Sequence, residues 1–253
     1  MKAILRVAAI LWIAVLVVGC VTTEVARFQP KIGQEALVRD GRPGLISRKQ
    51  NSIVMVSPAR RQAQAGQRPI YVLAIFNAGR QPTTFLLTGV EVNQMRGGQL
   101  AQPLQVYSYD DLVTQERNRQ VVGAILTVAA AGLNTYAASR SGYYNATGTV
   151  YGPGGVRTFN VSGYSPTANA IATARASAEN EAMIANVVET GRRNMDALEE
   201  NVIKDNTLMP GEWYGGQLHF DPPAHDSEKA FRIAVRVGGE VHEIDVKHEQ
   251  VGR

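Results

Sequence analysis

The chain has 253 residues, 45 % of them apolar and 19 % charged, with a formal charge of +4 and a single cysteine. That length and apolar content suffice for a substantial core, and one cysteine excludes an internal disulfide. The basic residues form no aromatic-interleaved motif, so nucleic acid is excluded as the expected partner.

The first predicted element is a leader. Lys2 and Arg6 precede the uncharged run VAAILWIAVLVVG, residues 7–19, which ends at Cys20. A short basic segment followed by an apolar run shorter than the about 20 residues of a spanning helix is the layout of a secretory signal peptide. Val17-Val18-Gly19-Cys20 resembles the lipobox of bacterial lipoproteins. The resemblance implies that residues 1–19 are removed and that Cys20 is lipidated, with a diacylglycerol on its thiol and a further acyl chain on the new N-terminus. Two or three chains anchor durably where one is marginal. Val21 stands where enteric members held in the inner membrane carry Asp, so the implied address is the outer membrane, facing either the periplasm or the outside. A lipidated Cys20 leaves no thiol for catalysis or metal binding. The alternative for this run is an uncleaved N-terminal membrane anchor.

Residues 20–50 read as a lipid-anchored tether, because Pro30, Gly33, Gly41, Pro43 and Gly44 interrupt any regular period. Loss of Lys2 and Arg6 with the leader lowers the formal charge from +4 to +2. Residues 21–68 are nevertheless basic, with nine Lys or Arg against Glu24, Glu35 and Asp40. Those cations either lie against anionic headgroups beside the anchor or pair with the acidic remainder.

Residues 51–110 read as the first half of a β-sandwich, with strand signals at 52–57, 70–77, 85–92 and 103–109. Residues 207–253 supply its second half. There 217–220 is a strand, and 231–246 is a hairpin with Gly238-Gly239 as its two-residue turn. That register sets Val235 opposite His242, Ile233 opposite Ile244 and Phe231 opposite Val246 on one face, and Arg232 opposite Asp245 on the other. Six or seven short antiparallel strands make the expected fold α+β, a β-sandwich immunoglobulin-like in general layout, split by a two-helix insertion.

The insertion is placed at residues 111–206. Its first helix runs through 120–139, a stretch without charge in which Gly123, Thr127 and Ala131 lie four apart. Small residues at that spacing favour close helix packing, so this helix is expected to be buried against its partner; entry into lipid is the alternative. The partner begins at an N-cap, Ser165, with Pro166 at the first helical position. Ala178, Ala182, Ala185, Val188, Gly191, Met195, Leu198 and Val202 mark its expected inner face. Between the helices, Tyr143, Tyr144, Tyr151, Phe159 and Tyr164 are candidate contacts for a partner or ligand.

No catalytic residue, metal set or cofactor is expected. His242 and His248 would stand about 20 Å apart on one strand, so His242 reads as a satisfied core histidine. Asp110, Asp111 and Glu116 read as acidic residues at a helix start. Trp213 and Tyr214 suit either a sugar platform or the packed end of the sandwich. The expected function is a non-enzymatic outer-membrane lipoprotein that assembles, scaffolds or binds within the cell envelope. Its expected partner is an envelope protein, or further copies of itself. The alternative is a carbohydrate-binding module or glycan-acting enzyme.

Overall fold

The computed structural model describes residues 23–39, 41–152, 155–224 and 229–251. The leader, Cys20, Asp40 and His225 lie outside them. The chain divides into two compact units, one of residues up to Tyr109 together with those from Asn201 onward, the other Asp110–Glu200.

The first unit holds two six-stranded sheets in which every paired strand is antiparallel. The first is ordered β5 (Ala63–Gln64), β1 (Thr23–Gln29), β16 (Glu240–Gln250), β15 (Ala230–Val237), β8 (Val90–Arg96), β9 (Gln99–Leu104). The second is ordered β10 (Val106–Tyr107), β14 (Trp213–Phe220), β6 (Ile70–Asn77), β4 (Ser52–Pro58), β3 (Arg42–Arg48), β2 (Gln34–Arg39). A short pair, β7 (Thr83–Phe85) with β13 (Asn206–Leu208), forms a two-stranded sheet of its own and adds Phe85 and Leu208 to the core. Alternation along the central strands turns Val54, Val56, Tyr71, Leu73, Ile75, Phe231, Ile233, Val235, Ile244 and Val246 into one shared core. The fold is therefore α+β with sandwich-like sheets.

The β15–β16 hairpin has the predicted register, including Val235 opposite His242 and Phe231 opposite Val246. Gly238 and Gly239 sit at φ 60° and 76°, a turn geometry that a residue with a Cβ resists. On the outer face, the Arg232 guanidinium donates to both oxygens of Asp245 at 2.6 and 2.9 Å, and Lys31 approaches the same carboxylate at 3.1 Å. Burial pushes the Asp245 carboxyl up, but these cations outweigh it and hold it below its ordinary value.

The expected tether is a correction. Residues 23–48 form β1, β2 and β3; β1 pairs with β16 in one sheet, while β2 and β3 extend the other. Gly33 and Gly41, at φ 80° and 68°, are the turns between these strands rather than signs of a structureless segment. Three of the cations there pair with acidic side chains: Arg27 with Glu249, Lys31 with Glu243 and Asp245, and Arg48 with Glu35.

His242 is fully buried between the sheets. Its Nε2 lies 2.8 Å from Ser52 Oγ and its Nδ1 2.9 Å from Ser47 Oγ, and Ser52 donates onward to Glu240 at 2.5 Å. Both serines come from the opposite sheet, so the imidazole pins the two layers together. Burial first, and the Lys49 ammonium second, push its pKa down to about 4 against the pull of Glu240. The neutral ring is therefore favoured in the folded state, while the unfolded chain gains a proton below about pH 6.5. Stability from this residue is complete above that pH and is lost as pH falls toward 4. Between pH 7 and pH 5 the loss is about 2 kcal/mol. Urea unfolding of His242→Gln should begin weaker at pH 7 and lose about 2 kcal/mol less than wild type over the same interval.

Candidate functional site

Within the second unit, α1 (Tyr109–Arg140) and α2 (Pro166–Asn201) lie antiparallel, joined through β11 (Tyr143–Gly152) and β12 (Gly155–Tyr164). The inner face of α1 is small and polar. Beyond the buried Leu112 and Val113 near its start, its buried or half-buried positions are Glu116, Gln120, Gly123, Thr127, Ala130, Ala131, Asn134 and Ala138. On α2 the matching positions are Asn169, Ala172, Ala176, Asn180, Met183, Val187, Gly191, Asn194 and Leu198. Both stripes recur every eleven residues, close to the natural period of an α-helix, so the faces stay together without the left-handed supercoil of a heptad.

Side-chain amides join the helices. Asn134 donates to Asn180 at 3.2 Å, and Asn180 donates to Ala131 O at 3.3 Å. Gln120 donates to Gly191 O at 3.1 Å, where a Cβ on residue 191 would stand 2.8 Å from the Gln120 side chain. Glu116 accepts from Arg119, Gln120 and Asn194. Burial pushes its carboxyl up, but the Arg119, Asn194 and Gln120 hydrogen bonds outweigh that and hold it low.

On α1 the small positions expected at the contact, Gly123, Thr127 and Ala131, lie half-buried within it. The large aliphatic side chains in the middle of α1 do not meet α2: Val121, Val122, Ile125, Leu126, Val128 and Leu133 are 57 to 70 % exposed. On α2 part of the predicted face holds, with Gly191 buried and Met195 and Leu198 half-buried, whereas Ala178, Ala182, Ala185 and Val188 are exposed and Ala176 is buried instead. The physical reason is that amide pairing and close backbone approach, not aliphatic burial, select the contact. Helix α1 is long and apolar enough to cross a membrane by length and composition.

The hairpin is fixed to the helices at its base. Asn169 donates to the Ala138 and Ser139 carbonyls at the end of α1. Ser165 accepts from the Ala168 N–H at 3.3 Å, with Pro166 first in α2, as predicted. Beyond that base, the hairpin residues are exposed or half-exposed on both faces. The five candidate aromatics do not form one cluster. Tyr143 and Tyr164 pair at the base, with ring centroids 5.0 Å apart, and share a face with Tyr151. Tyr144 and Phe159 lie on the other.

In the first unit, Trp213 is exposed against Phe76, whereas the Tyr214 hydroxyl accepts from the Lys204 N–H and its ring packs near Phe85. Alternation along β14 thus separates the two proposed platform residues. Asp110 and Asp111 are exposed in the first turn of α1, while Glu116 points to α2, so the three do not converge.

The sequence reading missed a polar cluster beside a cavity of about 320 Å³. Buried Glu24 is bonded by Lys229 and approached by His248 Nδ1 at 3.4 Å, and His248 Nε2 lies 2.8 Å from the Tyr71 hydroxyl. Arg60, Arg61 and Arg68 line the same cavity. Burial pushes the His248 pKa down, against Glu24, and raises that of Tyr71. Glu24 beside Nδ1 favours an N–H on that nitrogen, which leaves Nε2 to accept from the Tyr71 hydroxyl. The partners are far apart in sequence, so no local motif announces them. The cluster ties β1 to β16, β6 and the approach to β15. Glu24→Gln should cost about 3 kcal/mol by leaving Lys229 unpaired in a buried site, and Glu24→Gln combined with Lys229→Met should recover much of it, both read by urea unfolding.

No protein-family model, no curated protein and no solved structure matches the chain.

Proposed function

We propose that this is a non-enzymatic, lipid-anchored component of the outer membrane that assembles with further copies of itself through its second unit. In this reading an immunoglobulin-like sandwich carries Asp110–Glu200 as an insertion, and Cys20 holds the mature chain to the membrane.

The carrying observation is the outward apolar face of α1. Six large aliphatic side chains on one uncharged helical stretch exceed what a soluble monomer ordinarily leaves in water. Each contributes about 1.5–3 kcal/mol on full burial. A copy of the same chain is the favoured occupant because α2 also leaves aliphatic side chains exposed, Ile184 and Val188 on one flank and Ile171 on another. The outward face of α1 in one copy and that of α2 in the next supply a head-to-tail contact, the kind that closes into rings. The hairpin repeats the pattern, with one unpaired strand edge on β11 and another on β12.

The glycan reading has weaker support, since Trp213 is exposed but Tyr214 is committed to packing.

Light scattering on the chain from residue 20 onward with Cys20→Ser, free of acyl groups, should give a particle of several chains. Leu126→Glu with Leu133→Glu should convert it to a monomer with an unchanged circular dichroism spectrum, because both side chains are exposed in the single chain. A wild-type monomer at every concentration would overturn the proposal.

A further inference from the structure

The β11–β12 hairpin is two-faced at a period of two. The cross-strand register puts Asn145 opposite Ser162, Thr147 opposite Asn160 and Thr149 opposite Thr158 on one face. Thr147 Oγ1 donates to Asn160 Oδ1 at 2.8 Å there. The other face carries Ala146 opposite Val161, Gly148 opposite Phe159 and Tyr144 opposite Gly163. Its two aromatic rings lie over these glycines, since a Cβ at Gly148 would stand 2.4 Å from the Phe159 ring and one at Gly163 would stand 2.5 Å from Tyr144. Aromatic cover of strand glycines smooths and stiffens that face.

We propose, resting on the self-assembly described above, that this hairpin spans the outer membrane and that hairpins of successive copies join edge to edge into a β-barrel around a polar pore. Ten residues per strand reach about 33 Å, and a tilt of about 35–45° brings that close to the roughly 25 Å apolar band of such barrels. From Ser141 to Ala174 the one charged residue is Arg157. It lies on the apolar face near the turn, where its long stem lets the guanidinium reach headgroups. Tyr144 marks the opposite end of that face, as interfacial aromatics do.

The free edges supply the second half of the inference. A lone two-stranded hairpin is marginal in water, and in hydrocarbon its outward N–H and C=O groups have no partner unless the sheet closes. Copies contributing two strands each close it with an even strand number. Helix α1, although apolar enough, is the poorer membrane element. It is packed antiparallel to α2 along its length, so α2 would have to cross back. α2 carries Arg175, Glu179, Glu181, Glu189, Arg192, Arg193, Asp196, Glu199 and Glu200. A hairpin enters and leaves on one side without that cost.

The lumen would be lined by Asn145, Thr147, Thr149, Thr158, Asn160 and Ser162, all neutral amides or hydroxyls, with Tyr143 and Tyr164 at one end of the same face and Tyr151 opposite Val156 at the other. Such a lining passes small hydrophilic solutes without strong preference for either sign of ion.

The test uses the acylated full chain in vesicles of phosphatidylethanolamine and phosphatidylglycerol, with single cysteines placed at Thr147, Asn160, Ala146 or Val161 and the wild-type chain as control. A water-soluble maleimide should label Thr147→Cys and Asn160→Cys at least about tenfold faster than Ala146→Cys and Val161→Cys, which lie in hydrocarbon. A lipid-borne quencher should dim a fluorophore at the latter two alone, and wild-type vesicles should release an entrapped small dye. Equal labelling at all four positions, with the multi-chain particle intact, would overturn the pore and leave the assembly standing. A monomeric particle would overturn both.

Discussion

The structure turns on the face that α1 gives to α2. Small side chains and amides occupy that contact, so the helix backbones approach closely and the aliphatic side chains are left on the outside. A single chain therefore buries a polar seam and exposes an apolar surface, the reverse of the usual soluble helix pair. That arrangement is specified in detail: Asn134 meets Asn180, Gln120 fills the space beside Gly191, and Glu116 is satisfied from three directions. Paired amides in a seam of this kind fix register, because any slip leaves buried polar groups unpaired. A seam so closely specified gives the outward face a defined shape.

The sandwich-like unit solves a different problem with similar means. Its core is aliphatic and aromatic, yet it contains two polar pins. His242 links the sheets through Ser47 and Ser52, and the chain Lys229–Glu24–His248–Tyr71 closes the end beside β1. Each pin is satisfied internally, which is the condition under which buried polar groups hold a unique packing. The second also draws the first described strand into the sheet, only a few residues beyond Cys20. A lipid anchor at that position would be tied to a folded domain without a long tether between them.

Much of the central sheet was legible because burial there imposes strict alternation. The stretch 70–77 and the hairpin 231–246 read correctly, the latter down to its residue pairs, since turn chemistry, alternation and a cross-strand ion pair all agree. The first three strands were illegible for the opposite reason. β2 is an exposed edge strand, β1 buries a glutamate, and their glycines act as turns that resemble breaks. The stretch 85–92 read as one strand but is broken by a 3-10 turn at Leu87–Gly89. In the second unit, the small residues Gly123, Thr127 and Ala131 marked the contact face of α1, but half of the face predicted for α2, Ala178, Ala182, Ala185 and Val188, is exposed. Sequence periodicity locates a face but does not say which surface covers it. The alternation in β11 and β12 was masked by glycines, which carry no side chain to register on either side.

The central claim is that the exposed surfaces of the second unit are covered by other copies. Hydrogen–deuterium exchange of the acylated protein in lipid vesicles addresses it most directly, read at the alternate amides of β11 and β12 that point away from the partner strand. In an isolated hairpin those amides are unbonded. Edge-to-edge assembly predicts that they exchange as slowly as the amides bonded within the hairpin; exchange at the rate of an open peptide would contradict it.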